Sequence, residues 1–390
     1  MHLVFATSLV PDGAMTSGYE IATAAIVDAL RRAGVRVTVV GFKLPGREAI
    51  DPDQTVVLGT LEVRTDRADT RTKLRWLGKA MLSNMTFSSA KLLAIPPAAL
   101  KKELARLEPF DGFLLNSVQF AAAYEECFVH KPSLFAPYNV EYRSAAENAE
   151  AAHSAVERFL YRREARLLET VEKRLCDRAS FVYTLAPEDR APLGVASDAR
   201  SAWLPLVARL TPPQRVTRRD IACDAALIGT WTWHPNLIGL EWFLNEVVPH
   251  LPSDFRVNIA GSVPTRIRSD HPGVRLVGRV PDATEFVLSG AAVPLISRAG
   301  TGVQLKTIET FELGLPSVAT RSSLRGITNV PENCAVTDDA REFARLLVET
   351  SKKPDCIDGS RFYAAQRAAL DATIRRGLET LKAGRLEAAA

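Results

Sequence analysis

The chain has 390 residues, 47% of them hydrophobic and 24% charged, with 22 Gly and 23 Pro. At roughly 100–200 residues per domain that makes two or three domains, and the composition excludes intrinsic disorder, collagen and a small disulfide scaffold. The 49 Lys and Arg against 45 Asp and Glu leave a net charge of +4, which fits anionic ligands or an anionic membrane surface and carries no nucleic-acid signature.

The opening Met1–Ala6 is apolar but has no basic segment before it, so it reads as a first strand, His2–Ser8, and not as a signal peptide. Pro11-Asp12-Gly13 is a turn. Tyr19–Ala33 puts Ile21, Ala25, Ile26 and Leu30 on one helical face, with Ser17 as N-cap and Gly34 as the stop. Val35–Phe42, Val-rich and apolar on both faces, is a buried parallel strand. Residues 2–42 are thus one right-handed βαβ unit. Asp51-Pro52-Asp53 follows no hydrophobic strand and reads as a turn, not as a metal-binding Asp-x-Asp.

Thr70–Leu93 interleaves Arg71, Lys73, Arg75, Lys79 and Lys91 with Trp76, Met81, Leu82, Met85 and Phe87. Two readings fit it: an interfacial helix on an anionic bilayer, or an amphipathic helix packed on its own domain. Strands follow at Gly112–Leu115, Ser133–Ala136 and Phe181–Leu185. A long helix over about Ser154–Ala179 turns Val156, Phe159, Leu160, Leu167, Leu168, Val171 and Leu175 inward and leaves a solvated face of Arg and Glu at i,i+4 spacing.

Leu210–Asp220 is polar, Pro-containing and unperiodic, the best linker in the chain. Beyond it the alternation restarts. Strands are expected at Asp224–Ile228, Phe255–Ala260, Val274–Val277, Ala292–Ile296 and Ser317–Thr320. Helices are expected at Pro235–Val248, Val303–Leu313, Arg341–Thr350 and Arg361–Leu381, with a frayed end at 387–390. The organisation is α/β: an N-terminal domain over 1–210, a C-terminal domain over 221–360, and a helix in 361–390 that packs back on the first. Two doubly wound domains then face each other, with ligands at the carboxyl ends of their strands. Cys127, Cys176, Cys223, Cys334 and Cys356 are odd in number and far apart, which reads as reduced thiols in a cytoplasmic protein. No run of about 18 apolar residues is present to span a bilayer.

The densest chemistry lies in Ser297–Glu309. It follows a strand and opens a helix. Gly300 and Gly302 let a backbone approach a ligand, and a helix start suits phosphate. Lys306 and Glu309, three residues apart, share a face. A cation there meets a diphosphate, and a carboxylate deeper along the face holds two ribose hydroxyls. The alternative is a tight turn followed by a surface ion pair. Leu305 stands where a P-loop or a dinucleotide fingerprint needs Gly, so both fail. Trp231 and Trp233 could stack on a ligand or pack in the core. No HxxxH and no Gly-x-Ser-x-Gly occurs, which argues against catalytic zinc and an α/β-hydrolase.

The segment resembles the donor-site motif of the bacterial family-four, or "group 1", glycosyltransferases of GT-B fold: Gly300-Thr301-Gly302, Lys306 and Glu309, then Gly314-Leu315-Pro316-Ser317-Val318-Ala319-Thr320. Leu227–Asn236 resembles the entry to that family's C-terminal domain. Val274–Asp282 resembles the strand and Val-Pro-Asp turn that carry the base. Asn139-Val140-Glu141-Tyr142 is similar to a segment of a polysaccharide-associated branch. The likeness is strong over about 224–330 and looser, though collinear, before it.

The resemblance implies two Rossmann-like domains and transfer of a sugar, with retention, from a UDP- or GDP-sugar to a glycan or lipid-linked acceptor. The implied setting is surface or exopolysaccharide assembly, in the cytoplasm or on the inner face of the membrane. Neither a cofactor nor a metal is implied. Gly229, Gly300, Thr301, Gly302 and Val303 would contact the donor, Lys306 would neutralise the leaving diphosphate and Glu309 would bind ribose. Ser17 and Gly18, in a loop over Gly13–Gly18, would face the acceptor with Tyr138, Asn139 and Glu141.

Three positions depart from the family pattern. Thr301 stands where many relatives have a first Glu, and Tyr138 where the branch has His. After the first strand of the C-terminal domain, Thr230–Asn236 offers only His234 in place of Arg and Lys, so Arg298 or Arg321 would assist Lys306. A sugar-nucleotide epimerase of GT-B fold and a non-catalytic sugar-nucleotide-binding protein are the alternatives.

Overall fold

A computed structural model describes residues 1–14, 17–63, 68–152 and 154–389, with 385–389 as backbone alone. The chain divides into two compact units, 1–205 with 369–390, and 206–368. The change from one unit to the other falls at Pro205, ahead of the 210–220 linker, because Leu206, Val207 and Ala208 are already buried within the second unit.

The first unit holds β1 (His2–Leu9), α1 (Gly18–Arg32), β2 (Arg36–Lys43), β3 (Thr55–Thr60), α2 (Thr70–Leu82), α3 (Phe87–Leu92), α4 (Pro97–Arg106), β4 (Gly112–Asn116), α5 (Val118–Ala123), β5 (Ser133–Ala136), α6 (Glu141–Ala151), α7 (Ala155–Arg178), β6 (Phe181–Thr184) and β7 (Ser201–Trp203). Its seven strands run parallel in the order β3-β2-β1-β4-β5-β6-β7. β1 is buried except at Leu9, as expected of a central parallel strand covered on both faces. Ser17 caps α1 through a capping box with Glu20, and Gly34 closes it at φ +76°.

The second unit holds β8 (Cys223–Thr230), α8 (His234–Trp242), β9 (Val257–Ser262), β10 (Val274–Gly278), α9 (Ala283–Leu288), β11 (Gly290–Leu295), α10 (Leu305–Glu312), β12 (Ser317–Ala319), β13 (Cys334–Val336) and α11 (Ala340–Ser351). Its strands are also all parallel, in the order β10-β9-β8-β11-β12-β13. A last helix, α12 (Gly359–Ala389), gives its first part to this unit and the rest, from Ala369, to the first. In the first unit Tyr183 donates to the Ile374 carbonyl at 2.9 Å; in the second Tyr363 donates to that of Leu210 at 3.1 Å.

Several expectations are corrected. Thr70–Leu93 is two helices, not one, broken over Ser83–Thr86; Trp76 is buried, and Lys79 and Lys91 donate to the carbonyls of Leu93 and Val63. Val156 and Phe159 are exposed instead of inward. A 24-residue helix is about 36 Å long, and α7 is buried only from Leu168 onward; periodicity tells which face is apolar, not which turns have a core beneath them. α10 starts at Leu305, so Val303 belongs to the loop before it. α12 runs from Gly359 to Ala389, longer at both ends than the expected Arg361–Leu381.

Candidate functional site

In a parallel sheet whose strand order reverses beside its first strand, a crevice opens outside the carboxyl ends at the reversal. In the second unit this point lies between β8 and β11. A pocket occupies it, lined among others by Trp231, Ser297, Gln304, Lys306, Thr307 and Glu309. Lys306 and Glu309, expected from the sequence to work together, are on its wall together.

Lys306 reaches across the end of β8. Its Nζ lies 5.0 Å from the centre of the Trp231 ring. A Cβ on Gly229 would fall 2.9 Å from that Nζ and 2.8 Å from the Trp231 ring, so only glycine leaves room for the lysine. Trp231 is buried, its Nε1 donating to the Ala260 carbonyl at 2.8 Å. It is thus a floor for the ammonium and not a stacking platform, while Trp233 is exposed. Lys306 has no hydrogen-bond or ion-pair partner among the described residues, and burial pushes its pKa down to about 8. A cation so placed lacks a counter-charge, and an anion would supply it.

The loop between β11 and α10 carries the glycines. Gly300 has φ +92°, a left-handed conformation that favours glycine. Thr301 is buried, and its carbonyl accepts from Arg325 Nε at 2.7 Å. Gly302 has open space where a Cβ would be. Gln304 at the N-cap gives no side-chain cap bond, its Nε2 facing the Gly302 carbonyl instead, which leaves the first-turn N–H groups of α10 uncapped by any side chain.

Glu309 is held by two groups that the sequence did not mark. Its Oε1 accepts from Arg209 at 2.8 Å and from the Thr284 hydroxyl at 3.2 Å, and the same Arg209 nitrogen donates to that hydroxyl at 2.9 Å. Thr284 is in the first turn of α9, capped by Asp282 of the Val280-Pro281-Asp282 turn. The expected base-bearing turn and the expected ribose-binding carboxylate are therefore neighbours. One turn further, buried Glu312 accepts from the Ala208 N–H at 2.8 Å, and burial raises its pKa to about 8. These bonds fasten Ala208 and Arg209 along α10.

The proposed helpers of Lys306 are engaged elsewhere. Arg298 and Arg321 both pair with Asp338, at 3.5 and 3.2 Å, and Arg298 stacks on Trp242. His234 is exposed at the start of α8.

The corresponding reversal in the first sheet lies between β1 and β4. Here the side chains are neutral. Thr7 Oγ1 and Tyr19 OH are 2.6 Å apart. Asn116 Nδ2 donates to Thr7 (3.1 Å), Tyr19 (3.3 Å) and Thr23 (3.0 Å). The Tyr138 hydroxyl lies 2.9 Å from that of Thr23, its ring tilted on Tyr19, and burial pushes its phenol far up. Ser8 Oγ, Asn116 Oδ1, Ser117 Oγ and Asn139 Oδ1 are buried without a protein partner, and Ser117 is at φ +70°.

Glu141 opens α6, whose first N–H groups, of Glu141 and Tyr142, are taken by Glu172 at 2.8 and 3.0 Å. Burial lifts the Glu141 carboxyl to about 7. Ser17 is committed to the cap of α1, which Gly18 begins. Of the loop Gly13–Gly18, Met15 and Thr16 lie outside the described residues.

Residues 224–352 match the family model of "Glycosyl transferases group 1". A curated relative from Klebsiella pneumoniae, an uncharacterized 44.6 kDa protein in the cps region, is 24% identical over 173 residues, 40% of this chain. The match spans 44% of that relative's length.

Among solved structures, HepE of Anabaena in complex with UDP aligns over 98% of this chain and 100% of its own, with TM-score 0.59 and 14% identity. Sucrose-phosphate synthase of Thermosynechococcus elongatus aligns over 100% of both chains, with TM-score 0.61 and 15% identity. The lipopolysaccharide outer core galactosyltransferase WaaB, in its apo form, covers 98% of this chain and 100% of its own at TM-score 0.51 and 10% identity. At such identities the likeness is one of fold.

Proposed function

Because residues 224–352 are a group 1 glycosyl transferase domain in a chain of GT-B fold, we propose that the protein transfers a sugar, with retention, from a nucleoside diphosphate sugar to a glycan or lipid-linked acceptor. The observation that carries this reading is Lys306: a cation without a counter-charge, wedged between Gly229 and Trp231 in the crevice of the second sheet, one turn from Glu309.

The diphosphate would occupy the loop Gly300–Val303 and the uncapped start of α10. Lys306 would stabilise the negative charge that builds on the leaving diphosphate, a stronger interaction in the transition state than before it. Glu309, steadied on Oε1 by Arg209 and Thr284, would turn its other oxygen to the ribose. The neutral groups of the first unit, Tyr138 and Asn139 with Asn116, suit sugar hydroxyls, and Glu141, near 7, can exchange a proton at physiological pH. UDP is the first nucleotide to test, since HepE is solved with UDP, with UDP and glucose and with UDP-glucose. The cps-region relative supports a role in polysaccharide assembly.

A thermal-shift screen with UDP, GDP and ADP and their glucose conjugates tests the donor. One nucleotide should raise the melting temperature of the parent protein and not of Glu309→Ala, whose ligand-free melting temperature stays within a few degrees of the parent's. Equal stabilisation of both proteins rejects the site. A mass-shifted product on a lipid-linked or oligosaccharide acceptor establishes transfer. Binding without product leaves a sugar-nucleotide-binding protein, and an isomerised donor an epimerase.

A further inference from the structure

Four apolar side chains stand in water on two helices of the first unit. Leu74 and Leu82 of α2 are 62% and 92% exposed; Val156 and Phe159, at the start of α7, are 69% and 61% exposed. The helices are joined where these residues lie. Arg163 of α7 donates to the carbonyls of Ala80 at 2.9 Å and Met85 at 3.1 Å. A shallow pocket there takes Asn84 from the segment after α2, and Arg158, Phe159, Arg162 and Arg166 from α7. Along α2, Arg71, Leu74, Arg75, Met81 and Leu82 share the exposed side, while Trp76 and Ala80 face the core. Both helices therefore present one continuous outer face.

That face is strongly cationic. Thr70–Leu82 has four Lys or Arg and no acid; Ala155–Arg166 has four Arg and two Glu. Of those acids, Glu164 accepts from the Phe87 N–H at 2.9 Å and lies, by helical spacing, off the side that carries Arg158, Arg162 and Arg166. Asp69 likewise caps α2 through the Thr72 N–H. Arg158, Arg162 and Arg166 form a row at i, i+4 and i+8, a spacing at which like charges repel along a helix. The guanidinium groups of Arg162 and Arg166 have no hydrogen-bond or ion-pair partner among the described residues. Neither solvation nor helix stability accounts for large apolar groups held among unpaired arginines.

We propose that this face, the outer stripe of α2 with the first three turns of α7, docks on a bilayer rich in anionic lipid. Leu74, Met81, Leu82, Val156 and Phe159 enter the headgroup layer, and the arginines bind lipid phosphates and extend their stems along the apolar surface. No described helix is long and apolar enough to cross a membrane, so the attachment is peripheral. It uses neither Lys306 nor Glu309, so nucleotide binding serves as an independent check on folding.

The test is co-sedimentation with vesicles of phosphatidylcholine alone or with about one-third phosphatidylglycerol, which gives them a negative surface potential. The parent protein should bind only the anionic vesicles, and less at high salt. Arg162→Ser with Arg166→Ser should weaken binding roughly 25-fold, at about fivefold per arginine. Leu82→Ser with Phe159→Ser should weaken it at least tenfold while keeping its salt dependence. Both should keep the parent's nucleotide-induced stabilisation. Unchanged binding in either pair overturns the proposal. So does equal affinity for a soluble polyanion such as heparin, or a dimer of the parent in sedimentation velocity that Leu82→Ser with Phe159→Ser dissolves, which would make the face a contact between two copies.

Discussion

The two sheets of this chain reverse their strand order in the same way and differ in what they place at the reversal. The second gathers charge: Lys306, Glu309 and Arg209 around the end of β8 and the start of α10. The first gathers neutral groups: Thr7, Tyr19, Thr23, Asn116 and Tyr138, bonded to one another. A diphosphate brings its own charge and rewards an uncompensated cation. Sugar hydroxyls reward donors and acceptors of no net charge, which are cheaper to bury. On the proposed reading one architecture serves two chemistries, set by the side chains at the crevice and not by the fold.

The largest expected effect comes from removing the cation. A charge-assisted hydrogen bond contributes roughly 1.5–3 kcal/mol. Lys306→Met should therefore lower the rate of transfer roughly 10- to 150-fold, measured at saturating acceptor. A rate within twofold of the parent's would mean that the charge at this crevice has no part in the reaction.

The same lysine predicts a pH dependence. With its pKa near 8, Lys306 is mostly charged at pH 7 and mostly neutral at pH 9. If only the charged form holds the diphosphate, nucleotide affinity should fall about tenfold between those values. Ligand-free stability moves the other way. The folded state holds this proton less tightly than the unfolded chain, whose lysine keeps the ordinary value of 10.5. The lysine's contribution to stability therefore rises as pH climbs from about 8 to about 10.5. Isothermal titration at pH 7 and 9 checks the first sign, and denaturant unfolding across pH 8 to 10.5, with Lys306→Met as reference, checks the second. A parent affinity that stays flat across this range would separate the lysine from the ligand.

How much of this was legible in the sequence depends on chain distance. Lys306 and Glu309 are three residues apart, and helical spacing alone brings them together. Arg209 meets Glu309 across 100 residues, from an extended segment with no periodicity, so nothing local marks it. The hydroxyl cluster of the first sheet was equally hidden: Asn116 meets Thr7 only because β1 and β4 are neighbours, and Tyr138 meets Thr23 only because β5 lies beside β4. Most parallel strands rich in Val and Leu announced themselves, whereas the three-residue edge strands β7 and β13 did not; the edge strand β3, with Val56, Val57 and Leu58, is the exception, missed although it carries the same signal. The exposed start of α7 has a similar cause. Val156 and Phe159 keep the apolar rhythm of the buried turns, and only the extent of the core tells them apart.

The smallest effect should come from the neutral crevice. Tyr138→Phe removes one hydroxyl from a network in which Thr23 still bonds Asn116. The loss should cost about 0.5–1.5 kcal/mol of stability, or a few degrees in melting temperature for a unit of this size. No charge changes, so nucleotide affinity and its pH dependence should match the parent's, while KM for the acceptor rises. That pattern keeps the two crevices distinct. If Tyr138→Phe instead weakened nucleotide binding as strongly as Lys306→Met, Tyr138 would have to serve the donor, and the division between a charged donor crevice and a neutral acceptor crevice would fail.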